Sequence, residues 1–465
     1  MRRSTWLGLI ALAVIACGKD EKKQCNPTAQ SGCATGKVCE AVENGGAPAC
    51  FDPVVVKGKV FDLATQGAIA GARLVALDPN RAPVSLVATS AQNGTYALDV
   101  RAERKSDGTP VAGAVTLRAD AATYQSFPGG VRVALPLDLS VAVHGTSGWT
   151  LQSSLTDVGL IKDAGAGTAA LHGNAAVPSD RGGVLVVAET GSPAKGATAI
   201  ADRTGAYAIF NLAPGTYTVT AYAHGENYAP ATATLQAGQD LAVDLAIANA
   251  TTATVDGGLI FNSGATTPTS VALVLKSTYQ AALDRGESPP GLVAAVPSGS
   301  TYSFTGVPDG SYIALAAFGI DGDVRDLSGG GNTAPVGVEV QGGSVVGGST
   351  LGQFKLVGAI ALTTIDGVAV DGSGSAVKLT SATPAFTWVK DSSYSSAASY
   401  TLDVFDAFGN DIFTAPKAAG NSMTVTYAGA ALTSGMYYQL RIRALDGSGN
   451  QLSQTEDLKG VFYLP

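Results

Sequence analysis

The chain has 465 residues, 46% of them hydrophobic, which is more than one core usually serves and leads to an expectation of about three to five domains. Its net charge of −8, without a Lys/Arg cluster beyond the N-terminal segment, argues against a nucleic-acid partner, whose phosphates select clustered cations. Only 14% of residues are charged and 58 are glycine, so the surface is largely Ser, Thr, Gly, Asn and Ala, a poor basis for charge-driven chemistry.

The chain opens with Arg2 and Arg3, a short apolar run from Trp6 to Ile15, then Ala16 and Cys17. A basic start, a short apolar core and a small residue form an export-signal pattern over residues 1–16. A spanning helix needs roughly 20 apolar residues, and polar Gly18, Lys19 and Asp20 follow too soon. The stretch Val14, Ile15, Ala16, Cys17 resembles the bacterial lipobox. The resemblance implies that the Cys17 thiol carries diacylglycerol, that Cys17 becomes the first mature residue, and that several acyl chains hold the protein stably to a membrane. Because Gly18 rather than Asp follows, it also implies an outer-membrane lipoprotein, with the cell-surface and periplasmic faces both open. Residues 17–24 are then a lipidated tether.

Cys25, Cys33, Cys39 and Cys50 lie in one Gly/Pro/Asn-rich stretch, 25–53, and no cysteine follows. An even set in a short exported segment reads as a two-disulfide module with three possible pairings, which spacing does not separate. A four-thiolate zinc site is the competing reading. It lacks the usual close cysteine pairs, since the gaps hold seven, five and ten residues.

From Val54 onward, short runs rich in Val, Leu, Thr and Tyr alternate with Gly, Asp, Asn and Pro turns, predicting an all-β chain: a string of small β-sandwich domains. An internal echo supports tandem domains. Tyr207 precedes Tyr217 by ten positions around Pro214 and Gly215, and Tyr302 precedes Tyr312 by ten around Pro308 and Gly310. A weaker copy starts at Gly94 and Tyr96 and is interrupted by a polar insertion, 101–110, before Val115 and Leu117. The tyrosines are expected at the core or its margin, with ring packed and hydroxyl near water.

Val56, Gly58, Val60 and Asp62, followed by Ile69, Gly71, Ala72 and Val75 and then the Gly-x-Tyr element, resemble the carboxypeptidase regulatory-like domain. The resemblance implies transthyretin-like or starch-binding-like sandwiches over 54–146, 169–249 and, in divergent form, 252–356. Such domains are accessory or surface modules, so no peptidase activity is implied. The last segment, 359–465, resembles a fibronectin type III domain through Phe386 and Trp388, Tyr400 to Phe405, and Tyr437 to Ala444. By that resemblance Trp388 fills the core and Tyr437 fixes a corner. Leu440, Ile442 and Ala444 alternate with Gln439, Arg441 and Arg443, predicting a strand with one wet face. Linkers are expected at 162–168, 248–254 and 342–352, the last of them ahead of the terminal domain.

Catalytic patterns are sparse. His144, His172 and His224 each precede glycine, show no metal-binding spacing, and read as turn or surface residues. No Gly-x-Ser-x-Gly elbow occurs, and the 329–332 glycine run lacks the ending of a phosphate loop. Asp321, Asp323 and Asp326 surround a glycine turn and form a weak calcium candidate beside two plainer readings, a partner-binding loop and a solvated turn. Asp256, Asp406 and Asp446 read as turn residues. No catalytic residue and no cofactor are assigned, and the chain is not expected to be an enzyme. The leading expectation is an envelope-anchored lipoprotein that presents its sandwiches to an envelope or extracellular protein. The alternatives are glycan binding, through surface aromatics such as Trp149, Tyr124, Tyr228 or Tyr279, and an accessory subunit of an exported enzyme or transport complex.

Overall fold

A computed structural model describes residues 25–27, 30–178, 183–261, 269–296, 300–316, 323–325, 335–348, 353–370, 376–389, 396–418, 423–456 and 459–465. Strands dominate, and the only helical pieces among these residues are three single 3-10 turns. The chain is a string of β-sandwiches behind a small disulfide-bonded hairpin.

In that hairpin Val38–Val42 pairs antiparallel with Gly46–Phe51, and Cys39 stands opposite Cys50. The bonds join Cys25 to Cys39 and Cys33 to Cys50, so one of the three open pairings is selected and all four sulfurs are covalently used.

Three sandwiches then share one layout. In each, the first strand (Val54–Asp62, Ala169–Asn174, Ala253–Phe261) is flanked on one side by the tyrosine strand (Thr95–Val100, Ala206–Leu212, Thr301–Val307), antiparallel to it. On the other side lies a closing strand parallel to it: Gly148–Leu151 with Val158–Leu160, then Asp240–Ala242, then Phe354–Gly358. The facing sheets are centred on Arg73–Leu77, Val184–Thr190 and Thr269–Leu275. The described part of the expected 342–352 linker, 342–348, comes before Phe354–Gly358, the strand that closes the third sandwich.

A glycine–tyrosine pair explains why the motif recurs. Gly58 stands directly opposite Tyr96, Gly173 opposite Tyr207, and Gly257 opposite Tyr302. Without a side chain on the glycine, the ring can lie across the strand. The Tyr96 hydroxyl donates to the Thr156 carbonyl at 2.5 Å and the Tyr207 hydroxyl to the Val243 carbonyl at 2.6 Å, linking tyrosine strand to closing segment. Burial pushes the Tyr207 hydroxyl up to about 12, so it stays a donor at neutral pH. The second tyrosine of each echo is equally fixed: Tyr217 donates to Ala213 and Tyr312 to Pro308, four residues back in both cases.

The fourth sandwich packs Phe386, Trp388, Tyr400, Leu440, Ile442 and Phe462 between two sheets, with Trp388 buried as expected. The corner differs from expectation by one residue. Tyr438, buried, accepts the Thr433 N–H at 2.7 Å, whereas Tyr437 turns away from that core and stacks on Tyr463 at 5.1 Å. Adjacent strand residues point to opposite faces, so the two tyrosines exchange roles. The expected wet face is also covered. Gln439 and Arg441 are buried, and Arg441 donates to the Ala282 carbonyl of the third sandwich. Asp406 and Asp446 cap tight turns as expected, each accepting from the backbone N–H two residues on. Asp256 instead lies within a strand, opposite Ser303.

The central strands of the second sheets carry unbroken apolar runs, buried from Leu74 to Leu77, Val184 to Ala188 and Val271 to Leu275. One face fills the module's own core, as with Leu74 and Ala76 or Val184 and Val186. In the first two sandwiches the other face, Val75 and Leu77 with Leu185 and Val187, joins an apolar cluster that continues into the third. An antiparallel sheet with a wet face would alternate, so these runs indicate sheets covered twice.

A Cβ on Gly173 would come within 2.0 Å of the Val243 carbonyl oxygen, whereas a Cβ on Gly337, an exposed position of the strand Val336–Gln341, would meet nothing within 4 Å. Gly173→Ala is therefore expected to strip hydrogen-exchange protection from the Ala206–Leu212 strand, and Gly337→Ala to leave protection in the third sandwich unchanged.

Candidate functional site

The polar insertion 101–110 is the seat of the disulfide hairpin. Arg104 is fully buried there and pairs with Glu40 of the hairpin. Its remaining guanidinium donors reach the Asp52 carbonyl at 2.8 Å and the Gly108 carbonyl at 3.1 Å, and its plane lies 5.5 Å from the Phe51 ring centre. Glu40 also accepts the Ala102 N–H at 3.0 Å, and the backbones of Arg104 and the hairpin exchange hydrogen bonds at Glu43 and Ala41. Burial raises the Glu40 pKa against the opposing pull of Arg104. Sequence reading missed this pair because its members lie 64 positions apart. The available signal was an arginine inside a segment otherwise suited to solvent.

Beside this seat lies an open groove of about 410 Å³, lined by Lys37, Phe51, Asp52, Asp107, His144 and Trp149. Lys37 and Asp52 form an ion pair at 2.7 Å, and the Lys37 hydrogen bond keeps the Asp52 carboxyl below its usual pKa. His144 Nε2 stands 3.8 Å from Asp52, and its ring lies 4.8 Å from Trp149. His172, exposed and within a strand, meets Asp240 at 2.7 Å, while His224 sits in a hairpin turn. The structure thus leaves the three histidines in separate places.

The remaining predicted residues divide as follows. Cys17, Asp321 and Asp326 lie outside the described residues, and Asp323 opens the short strand Asp323–Arg325. Tyr124 donates to Asp62 at 3.1 Å, Tyr228 is buried and donates to the Ala176 carbonyl, and Tyr279 donates to Asp284 at 2.6 Å. These aromatics are engaged within the protein, and no shared platform is formed by them among the described residues.

The most elaborate polar chemistry lies at joints between sandwiches. Buried Arg118 of the first sandwich holds its own Asp120 at 2.9 Å, Thr198 of the second at 3.1 Å and Glu287 of the third at 3.2 Å. Asn211, in left-handed conformation, accepts from Thr123 N–H at 2.6 Å and donates to the Tyr124 carbonyl at 2.8 Å. Farther along, Gln125 donates to the Ala407 carbonyl of the fourth sandwich at 2.7 Å, and Arg132 lies 4.8 Å from the Tyr437 ring. Val131, Ile161, Leu283, Phe405 and Ala407 close a small apolar core contributed by three modules. The segment expected as a linker at 162–168 is itself pinned, with Asp163 N–H donating to Thr123 and Gly167 N–H to Asn211.

No protein-family model matches the chain, and no curated protein does. Among solved structures it is similar to the Bacillus anthracis TIE protein, at 10% identity over 88% of this chain and 73% of that one, with a TM-score of 0.16. It is also similar to a streptococcal ancillary pilin, at 12% identity over 65% and 99%, with a TM-score of 0.16. A third likeness is to BcpA, the major pilin subunit of Bacillus cereus, at 8% identity over 66% and 100%, with a TM-score of 0.18. At these scores the likenesses carry no weight for function. No helix among the described residues is long and apolar enough to cross a membrane.

Removing one partner of a buried ion pair costs about 3–5 kcal/mol, whereas replacing both with apolar residues of similar volume is often neutral. Arg104→Met is accordingly expected to undock the disulfide hairpin, and Glu40→Met with Arg104→Met to restore much of the docking. Hydrogen exchange at Ala41, Glu43 and Ala102 reads both outcomes.

Proposed function

We propose that this chain is a non-catalytic, envelope-anchored lipoprotein whose β-sandwiches present loops and surfaces to an envelope or extracellular protein. Cys17 carries the lipid, the disulfide hairpin forms the membrane-proximal end, and the sandwiches form the presenting body. The observation that carries this reading is the placement of the buried cations. Arg104, Arg118 and Arg441 each leave water to join one module to another. Desolvating a guanidinium is costly, and its return here is a fixed arrangement of modules, as suits a protein that holds a surface in place.

The test is metabolic labelling with a radioactive fatty acid in the source bacterium, followed by surface-restricted crosslinking. The wild-type chain is expected to take up label and partition with membranes, the Cys17→Ser chain to do neither, and one envelope protein to crosslink only to the wild type. A wild-type chain without label refutes the anchor. A labelled chain without a crosslinked protein refutes the protein-presenting role.

A further inference from the structure

The groove beside the hairpin seat is built by two modules. The disulfide hairpin supplies one wall through Lys37, Phe51 and Asp52, and the first sandwich supplies the other through Asp107, His144 and Trp149. His144 and Trp149 stand directly opposite one another on the last two strands of their sheet, so both rings lie on the same face of it. Trp149 packs in part against the sandwich core and borders the groove with the rest of its ring. Phe51 is backed by the buried Arg104 guanidinium, 5.5 Å from its ring centre. At the edge of that ring Gly108 keeps the groove open, since an added Cβ would come within 3.2 Å of Phe51 Cδ1.

The polar groups suit hydroxyls better than ions. Lys37 pairs with Asp52 at 2.7 Å, and Lys105, two residues before it, offsets Asp107, so neither an anion nor a cation finds a surplus of opposite charge. Asp52 Oδ2 and His144 Nε2 stand 3.8 Å apart, too far for a direct hydrogen bond. A hydroxyl between them donates to the carboxylate and either accepts from or donates to the imidazole, whichever tautomer is present. Next to this polar gap lies the Trp149 ring, 4.8 Å from His144, whose negative π face attracts the slightly positive C–H groups of a saturated ring. The groove, of about 410 Å³, falls within the range of about 300–1,000 Å³ common to small-molecule sites.

We propose that this groove binds a neutral pyranoside, with one sugar ring stacked on Trp149 and one of its hydroxyls bridging Asp52 and His144. The inference does not depend on lipidation at Cys17 or on a protein partner, and it adds a ligand to the presenting role. Because the two walls belong to different modules, the site exists only while Arg104 and Glu40 hold the hairpin on its seat.

The experiment titrates the full chain, carrying Cys17→Ser so that it is handled without detergent, with trisaccharides of glucose, galactose, mannose and N-acetylglucosamine and with neutral oligosaccharides released from the source bacterium's envelope. Calorimetry reads binding and tryptophan emission reads the groove, with Trp388 buried in the fourth sandwich. At least one saccharide is expected to bind saturably and shift the emission component that Trp149→Leu removes. Trp149→Leu, Asp52→Asn and His144→Ala are each expected to weaken that binding at least about tenfold. Val143→Ser, next to His144 and so on the opposite face of the strand, is expected to bind as the wild type does. Hydrogen exchange at Ala41, Glu43 and Ala102 checks that the hairpin stays docked in each variant. Should Trp149→Leu lose that protection, the solvent-facing Asp52 and His144 variants carry the test. A response confined to the released oligosaccharides assigns the ligand to the cell's own envelope, and a response to the trisaccharides alone assigns it to the surroundings. Saturation by none of these saccharides overturns the site, as does binding that the three groove variants leave unchanged. Binding of choline or inorganic phosphate in place of every saccharide marks an ion site and overturns it too.

Discussion

A sheet that is apolar on both faces has to be covered twice, and the architecture of this chain follows from that requirement. In the first two sandwiches the second sheet fills its own core with one set of side chains and presents another to a neighbouring module. Each buried CH₂ contributes roughly 0.8 kcal/mol relative to exposure. Leaving Val75, Leu77, Leu185 and Val187 in water would therefore sacrifice a large part of a module's marginal stability. Apolar burial brings the modules together without specifying an angle.

The angle comes from directional contacts. Arg118 reaches acceptors in three sandwiches, and Gln125 reaches a carbonyl 282 residues away. Gly130 has no side chain and a positive φ, which let the loop approach the Ala407 carbonyl, where a Cβ would come within 1.8 Å. Such contacts lose much of their value if a module shifts by an ångström or two, so they select one arrangement among the many that apolar packing would accept. The disulfide hairpin is held by the same logic on a smaller scale. It has little apolar core of its own, and its two crosslinks and the Arg104–Glu40 pair supply the missing constraint.

This division of labour bears on function. Closely joined modules keep their outer loops at fixed separations, an arrangement that suits the proposed role of presenting surfaces to another protein. The groove at the hairpin is open, and the polar groups lining it include an ion pair already formed between Lys37 and Asp52.

Local pattern alone determined that the chain is built of β-sandwiches, that its tyrosines recur at a spacing of ten, that four cysteines form disulfides and that Trp388 is a core residue. Each depends on period-two alternation, turn residues or cysteine number, all of which act within a few residues. Long-range geometry decided the rest. Which cysteines pair depends on the register of one hairpin, and whether Tyr437 or Tyr438 turns inward depends on which face of a strand meets the opposite sheet. The role of the 101–110 insertion depends on a glutamate 64 positions before Arg104. The burial of Gln439 and Arg441 depends on a neighbouring module covering a face that alternation alone marks as wet. Sequence pattern records which residues avoid water along one strand, and only the folded chain determines what covers them.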